Sequence, residues 1–265
     1  MPSRYSRRFR RGKKIYTIHI PRLIFSLLLM LSLITGGICV VVRVVKKHAR
    51  QAAFEENFSA LYISQLPDED VKITRCIVIS AGHGGEDPGA CAGDVTEKEL
   101  NLSIAKIVQQ MLEEKGYTVL MTRVDDTDLD DTDGILEANA SGVDMFVAIH
   151  QNVIENDPSV QGVETWYEQG RQDSEYLAQV MQAAVITATG AEDRGIKCNQ
   201  SFEVTRESAM PSVLIETGFM SNQTELANLQ DEAYQQKIAQ GIVEGIETYF
   251  AQEGLPESTF SFDGE

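Results

Sequence analysis

Two histidines and one glutamate follow apolar runs that could form buried strands. His83 and His150 are the only histidines after residue 50, and the apolar runs 76–82 and 145–149 lead into them. A third apolar run, 213–215, ends in Glu216. Runs of this kind are typical of strands in a sheet covered on both faces, where polar groups cluster at the carboxyl ends of the strands. The sequence therefore predicts one site that contains two imidazoles and a carboxylate.

Two imidazoles and a carboxylate are a ligand set for Zn²⁺ that can leave one position open for water. A further carboxylate beside such a water would be a natural general base. Structural alternatives remain open for each residue. His83 could belong to a tight Gly/Pro turn, His150 could be a satisfied core histidine, and Glu216 could cap a helix near 221–229.

A second acidic candidate lies at the start of a predicted helix. Thr96 and Glu99 have the spacing of a capping box. In this motif an N-cap threonine and a glutamate three residues later each accept the backbone N–H of the other residue with their side chain. Glu97 would then be free to point toward the edge of the sheet as a metal ligand. The alternative is that Glu97 only complements the helix dipole.

Other kinds of chemistry find little support in the sequence. The glycine-rich loop 81–90 matches neither GxGxxG nor GxxxxGK[ST], so its glycines are better explained as room for backbone and ligand beside His83. The aspartate-rich run 125–133 lacks EF-hand spacing, and no GxSxG motif is present. The cysteines show no CxxC pair; Cys91 and Cys198 could form a disulfide or remain isolated thiols.

The hydrophobic pattern after residue 76 alternates between strands and helices. This order predicts an α/β fold with a mixed, mostly parallel sheet flanked by helices on both faces. Strands are predicted at 76–82, 117–123, 144–150, 163–168, 202–206 and 212–217, and helices at 97–115, 134–142, 173–188 and 231–250.

The N-terminal region differs sharply in charge from the rest of the chain. Residues 1–50 hold 12 of the 23 basic residues and no acidic ones, so residues 51–265 carry 11 basic and 40 acidic side chains. Such an acidic body argues against nucleic acid as a partner. Residues 23–42 are uncharged and long enough to cross a bilayer as a helix. The heavier positive charge before them predicts a cytoplasmic N-terminus; a cleaved signal peptide is the alternative.

These features divide the chain into five parts. We predict a basic cytoplasmic segment at 1–22, a transmembrane anchor at 23–42, a stalk at 43–75, a catalytic domain at 76–250 and an acidic tail at 251–265. In this arrangement the catalytic domain lies outside the cell membrane.

Five sequence stretches together resemble the zinc-dependent N-acetylmuramoyl-L-alanine amidases of the Amidase_3 type, which cut bacterial peptidoglycan. The stretches are AGHGGEDPGA (81–90), TEKELNLSIA (96–105), YTVLMTR (117–123), FVAIHQN (146–152) and MPSVLIETGFMSN (210–222). The resemblance implies a zinc amidase/exopeptidase-like fold and peptidoglycan as the substrate, with the domain facing the cell wall. It also implies that no inserted segment plugs the site, because only 65 residues separate the second histidine from the later glutamate.

The resemblance assigns a role to each candidate residue. It implies that His83, Glu97 and His150 hold Zn²⁺, that Glu216 is catalytic, and that Asn152 lines the substrate groove. Two other functions remain open: an inactive wall-binding or scaffold module with the same fold, and a zinc peptidase that acts between amino acids. The sequence does not identify protein regulators.

Overall fold

The computed structural model describes residues 45, 75–127, 135, 138–139 and 141–252. Within these residues no helix combines the length and the apolar character needed to cross a membrane. The predicted anchor at 23–42, almost all of the predicted stalk and most of the acidic tail lie outside them. The predicted helix at 134–142 and the aspartate-rich run lie partly outside them.

A six-stranded mixed sheet forms the centre of the domain. Its strand order is β4-β1-β5-β8-β6-β7, in which the first four strands are parallel, β6 is antiparallel to β8, and β7 is parallel to β6. A separate small hairpin contains β2 and β3. The strands are β1 (Cys76–Ala81), β2 (Cys91–Ala92), β3 (Val95–Thr96), β4 (Thr118–Met121), β5 (Met145–Asn152), β6 (Val163–Glu168), β7 (Asp193–Asn199) and β8 (Ser212–Phe219).

Three long helices cover one face of the sheet, which we call the helical face. They are α1 (Glu97–Glu114), α2 (Gln172–Thr189) and α5 (Glu232–Gln252); the short helices are α3 (Glu203–Arg206) and α4 (Gln223–Leu229). Alternate residues of the central strands, such as Ile77, Val147 and Ile215, are fully buried in the core beneath the long helices. The opposite face has a smaller apolar cluster around Phe146 and Leu214, to which Val204 of α3 contributes. The predicted α/β class is therefore confirmed.

One strand prediction requires correction at the edge of the sheet, and one edge strand was not predicted. Residues 202–206 do not form a strand, because Glu203–Arg206 is a single helical turn. The edge strand is instead Asp193–Asn199, which the sequence analysis missed. This segment, DRGIKCN, is polar and contains Gly195 at a φ of 76°, so it lacks the apolar alternation that indicates a strand.

One local prediction differs in detail, and for the cysteines the structure agrees with the second of the two alternatives, isolated thiols. Thr96 is the N-cap of α1, but its hydroxyl donates to the Glu99 carboxylate at 2.8 Å and makes no hydrogen bond to the helix backbone. Cys91 and Cys198 are free, exposed thiols, so the disulfide left open by the sequence is not formed.

Candidate metal centre

Glu97 lies between the two histidines of the predicted site. Its Oε2 is 3.2 Å from Nε2 of His83, and its Oε1 is 3.1 Å from Nδ1 of His150. One ligand atom from each of the three side chains lies within 4.8 Å of the others. The structure therefore brings together three residues that are distant in sequence into a cluster that could hold a metal ion.

The local backbone explains this convergence. His150 is on β5, beside β1, and Glu97 is the first residue of α1. His83 follows β1 at a φ of 63°, in the left-handed region that non-glycine residues seldom adopt. This unusual backbone conformation turns the chain immediately after the strand, beside Glu97 and His150.

Two glycines of the loop leave room for the cluster itself. A Cβ atom on Gly82 would lie 2.2 Å from the ring of His150. A Cβ atom on Gly89, which has a φ of 65°, would lie 2.6 Å from both Glu97 and His83. The sequence predicted room for backbone and ligand; at these two glycines the groups that use the space are side chains of the cluster instead.

Hydrogen bonds fix His83 and Glu97 from outside the cluster. Asp87 Oδ2 lies 2.7 Å from Nδ1 of His83, which leaves Nε2 facing Glu97. The carboxylate of Glu97 also accepts backbone N–H groups from Ala90 at 2.9 Å and Gln151 at 3.0 Å. A metal ligand generally needs such outer contacts to hold its orientation.

A buried amide chain supports Glu97 from the helical face. Asn101 donates to Glu97 at 3.3 Å and to the Gly82 carbonyl at 3.1 Å. Gln151 donates to Asn101 at 3.1 Å and accepts a hydrogen bond from Thr217 at 2.8 Å. These contacts connect α1, β5 and β8 directly beneath the cluster.

The electrostatics of the cluster favour bound positive charge. Burial alone would raise the pKa of Glu97, but hydrogen bonds and charge from His150 and His83 hold that pKa well below its usual range. Burial likewise opposes the charged form of His83, yet Glu97 and Asp87 raise its pKa to about 9. A buried carboxylate that raises the pKa of a neighbouring imidazole by stabilising its positive charge offers the same field to a cation, so the residues fit a metal ion.

Glu216 occupies the position on β8 opposite His150 of β5. Its side chain is almost completely buried, and its Oε2 has no hydrogen-bond partner among the described residues. Burial raises its pKa to about 7, a value at which a carboxyl can both accept and donate a proton near neutral pH. It does not cap the following helix, because Asn222 supplies that cap.

Asn152 lies on β5, two residues beyond His150, and therefore on the same face of the sheet. Its Oδ1 accepts the Val153 N–H at 2.8 Å, and its Nδ2 lies 3.4 Å from the Glu164 carboxylate. The predicted substrate-binding amide therefore contacts Glu164, the residue of β6 that is opposite Glu216.

The residues that support the site were not predicted from the sequence. Asp87 could have been suspected, because it is four residues after His83 in the glycine-rich loop. Asn101 has the helical spacing that places it one turn after Glu97. Glu164 gave no signal, because its position opposite Glu216 depends on an antiparallel pairing of β6 with β8 that distant sequence segments do not reveal.

The fold and the cluster define an α/β protein with a histidine–glutamate cluster that could hold a metal ion and a buried carboxyl beside it. The family described as N-acetylmuramoyl-L-alanine amidase (Amidase_3) matches residues 77–248. This match covers more than half of the chain, and the chain belongs to that family.

Individual relatives agree with this assignment. The chain is 37% identical to YqiI of Bacillus subtilis (strain 168) over 180 residues, which cover 67% of this chain and 86% of YqiI. It is 36% identical to the N-acetylmuramoyl-L-alanine amidase LytC of the same strain over 67% of this chain, but only 36% of the length of LytC.

A solved structure shows the same fold. The N-acetylmuramoyl-L-alanine amidase of Clostridium difficile 630 superposes with a TM-score of 0.67 at 38% identity. The match covers 69% of this chain and all of the solved chain.

Proposed function

We propose that this protein is a zinc hydrolase that cleaves the amide bond between N-acetylmuramic acid and L-alanine in peptidoglycan. The observation that carries the proposal is the position of the buried Glu216 carboxyl opposite His150, beside the His83–Glu97–His150 cluster. Membership of the amidase family supports the choice of substrate.

The donor set suits zinc, because two imidazoles and one carboxylate are a common set of protein ligands in catalytic zinc sites. His83, Glu97 and His150 would hold the ion. When bound, zinc would supply a Lewis acid that acidifies water and polarises a carbonyl.

Glu216 supplies the proton transfer in this proposal. Its carboxylate takes a proton from the attacking water and then returns that proton to the leaving amine nitrogen of L-alanine. A pKa of about 7 suits both steps, because the group exchanges its proton readily near neutral pH.

The central test replaces Glu216 by Gln, which keeps the size of the side chain and removes its base. We expect Glu216→Gln to keep stoichiometric zinc, measured by elemental analysis, and to lose about 10²–10⁴-fold in the rate of amide cleavage. The rate is measured as new L-alanyl amino groups released from peptidoglycan. Glu232→Gln, at an exposed position on α5, is the matched control and should leave both zinc and rate unchanged.

Three results would contradict the proposal in different ways. Full activity of Glu216→Gln would show that this carboxyl does not carry the proton transfer. A wild-type protein without stoichiometric zinc and without cleavage would instead be a wall-binding or scaffold module. Mass spectrometry of the muropeptides that shows cuts between amino acids would identify a peptidase.

Asn152 would bind the substrate along the groove on the same face. We expect Asn152→Ala to raise KM several-fold while zinc content stays the same. An unchanged KM in this variant would exclude the contact.

The proposed location follows from the charge pattern of the N-terminal region. Residues 23–42 would anchor the chain in the membrane with residues 1–22 in the cytoplasm, and the catalytic domain would then face the cell wall. This topology places the enzyme beside its polymeric substrate.

A further inference from the structure

Arg194 and Lys197 on β7 bind the same oxygen of a buried carboxylate. Arg194 Nε lies 2.6 Å from Oε1 of Glu164, and Lys197 Nζ lies 2.5 Å from the same atom. The side chain of Glu164 is 4% exposed, whereas those of Arg194 and Lys197 are 28% and 32% exposed. We call these two basic residues the cation pair.

A bulge in β7 makes this arrangement possible. Val163 of β6 pairs with Asp193, but Thr165 pairs with Ile196, so β7 contains one extra residue between these positions. Without the bulge, residues three apart on a strand would point to opposite faces. Gly195 lies in the bulge with a φ of 76°, a conformation that glycine adopts easily. With the bulge, both members of the cation pair reach Glu164.

The cation pair continues the row of site residues across the sheet. His150 of β5 is opposite Glu216 of β8, and Glu216 is opposite Glu164 of β6. Neighbouring strands are about 4.8 Å apart, so β7 lies roughly 10 Å from the strand that carries Glu216. The row thus extends from the candidate metal centre to two partly exposed cations.

Charge and ring contacts make the cation pair a fixed positive site. Both members of the cation pair share the single carboxylate of Glu164, whereas Lys115, for example, pairs alone with Glu247. The Arg194 guanidinium lies 5.0 Å from the Phe219 ring centroid, and Lys197 Nζ lies 5.4 Å from that of Trp166. Such contacts hold a cation in place without neutralising it.

The carboxyl of Glu225 also interacts with the charge of Arg194. That carboxyl accepts the backbone N–H groups of Gly162 at 2.8 Å and Phe219 at 2.7 Å. The guanidinium contacts Glu164 through Nε; among the residues that the structure describes its two terminal nitrogens make no hydrogen bond, so they can meet a second anion. This surplus of donors stands out in a region of 11 basic and 40 acidic residues.

We propose that the cation pair binds a carboxylate of the stem peptide and thereby selects the substrate. This inference rests on the proposed amidase function. The relevant carboxylate is one on the second residue of the stem. Both cations meet Glu164 on β6, one strand away from Glu216, and one Cα step of about 3.8 Å covers most of the roughly 4.8 Å between these strands when the first residue lies at Glu216. Arg and Lys donors to a carboxylate form charge-assisted hydrogen bonds, which a carboxamide at the same position would weaken.

The test compares two synthetic muropeptides that differ in one group. The second stem residue carries a free α-carboxylate in one and a carboxamide in the other. We expect the wild-type protein to cleave the carboxylate form with a kcat/KM about tenfold higher, which corresponds to one charge-assisted hydrogen bond. Arg194→Gln and Lys197→Gln should each reduce this preference, mainly through a higher KM for the carboxylate form, and leave the carboxamide form nearly unaffected.

The controls separate recognition from support of Glu164. Lys237→Gln removes an exposed cation on α5 and should leave the preference intact. Zinc content and Tm are measured for every variant. Equal cleavage of both muropeptides by the wild type would overturn the inference. Equal loss of both activities together with a lower Tm in the Arg194 and Lys197 variants would also overturn it, because the pair would then serve only to neutralise Glu164. If the zinc-loaded wild type cleaved neither muropeptide, that result would instead contradict the amidase function on which the inference rests.

Discussion

Two buried glutamates beside each other in the site have pKa values shifted in opposite directions. Both are desolvated, which alone raises the pKa of a carboxyl. Glu97 overcomes this effect through two histidines and two backbone N–H groups, whereas Oε2 of Glu216 has no partner among the described residues. One carboxyl is therefore held as an anion suited to a cation, and the other is held ready to exchange a proton.

This difference predicts that the contribution of Glu216 to the free energy of unfolding of the metal-free protein depends on pH. Its pKa rises from 4.5 to about 7 on folding, so the native state binds the extra proton between these values. The contribution of Glu216 to stability is therefore most favourable below pH 4.5 and falls as the pH rises through 7. We compare the free energies of unfolding of Glu216→Gln and wild type in the presence of chelator. We expect the difference to shift in favour of the variant by roughly 2–3 kcal/mol when the pH rises from 5 to 8.

Chemical denaturation at the two pH values measures this difference. Glu232→Gln, at an exposed position, serves again as the control and should show no comparable change between pH 5 and pH 8. A stability difference for Glu216→Gln that does not vary with pH would show that the carboxyl titrates normally in the folded protein.

At the level of elements, the sequence predicts the strands whose side chains are buried on both faces. Strands β1, β5 and β8 are apolar runs that end at the site, and their pattern indicated both their existence and their role. Strand β7 was missed because an edge strand with a bulge needs no apolar alternation. The two histidines of the predicted metal set came together because they depend on neighbouring parallel strands, and Glu97 joins them from the start of α1. Glu164 depends on one antiparallel pairing that sequence does not encode locally.

The contact between α2 and α5 predicts that Gly241→Ala destabilises the protein, although alanine has the higher helix propensity. Gly241 lies inside α5, where Ala is favoured by about 1 kcal/mol over Gly in an exposed helix. A Cβ at Gly241 would, however, lie 2.6 Å from Cα of Val185 in α2. We expect Gly241→Ala to lower the free energy of unfolding by about 1–3 kcal/mol, because backbone atoms of two packed helices would have to separate.

Thermal unfolding of the zinc-loaded protein measures the effect of Gly241→Ala. Gln236→Ala, on the exposed side of the same helix, is the matched control and should change stability by less than about 0.5 kcal/mol. A stabilised Gly241→Ala would mean that the helices are farther apart than the structure shows.

On the scale of the whole molecule, charge separates the chain into two regions with different surroundings. Twelve basic and no acidic residues in 1–50 suit the anionic inner surface of a membrane, whereas 11 basic and 40 acidic residues in 51–265 do not suit polyanions. An acidic body would bind an anionic wall polymer only through a local positive site. The cation pair of Arg194 and Lys197 is such a site, and a membrane anchor would keep it close to the polymer.

The anchor itself is tested by fractionation of cells that express the full chain. We expect the protein in the membrane pellet, resistant to high salt and alkaline carbonate and released by detergent, because about 20 apolar residues insert effectively irreversibly. A variant with Leu27, Leu28 and Leu29 replaced by Lys should leave the membrane fraction, whereas the same residues replaced by Ile should remain there. If the wild-type chain were instead recovered in the medium with a new N-terminus after residue 42, the segment would be a cleaved signal peptide, and the enzyme would have to find the wall by diffusion rather than by tethering.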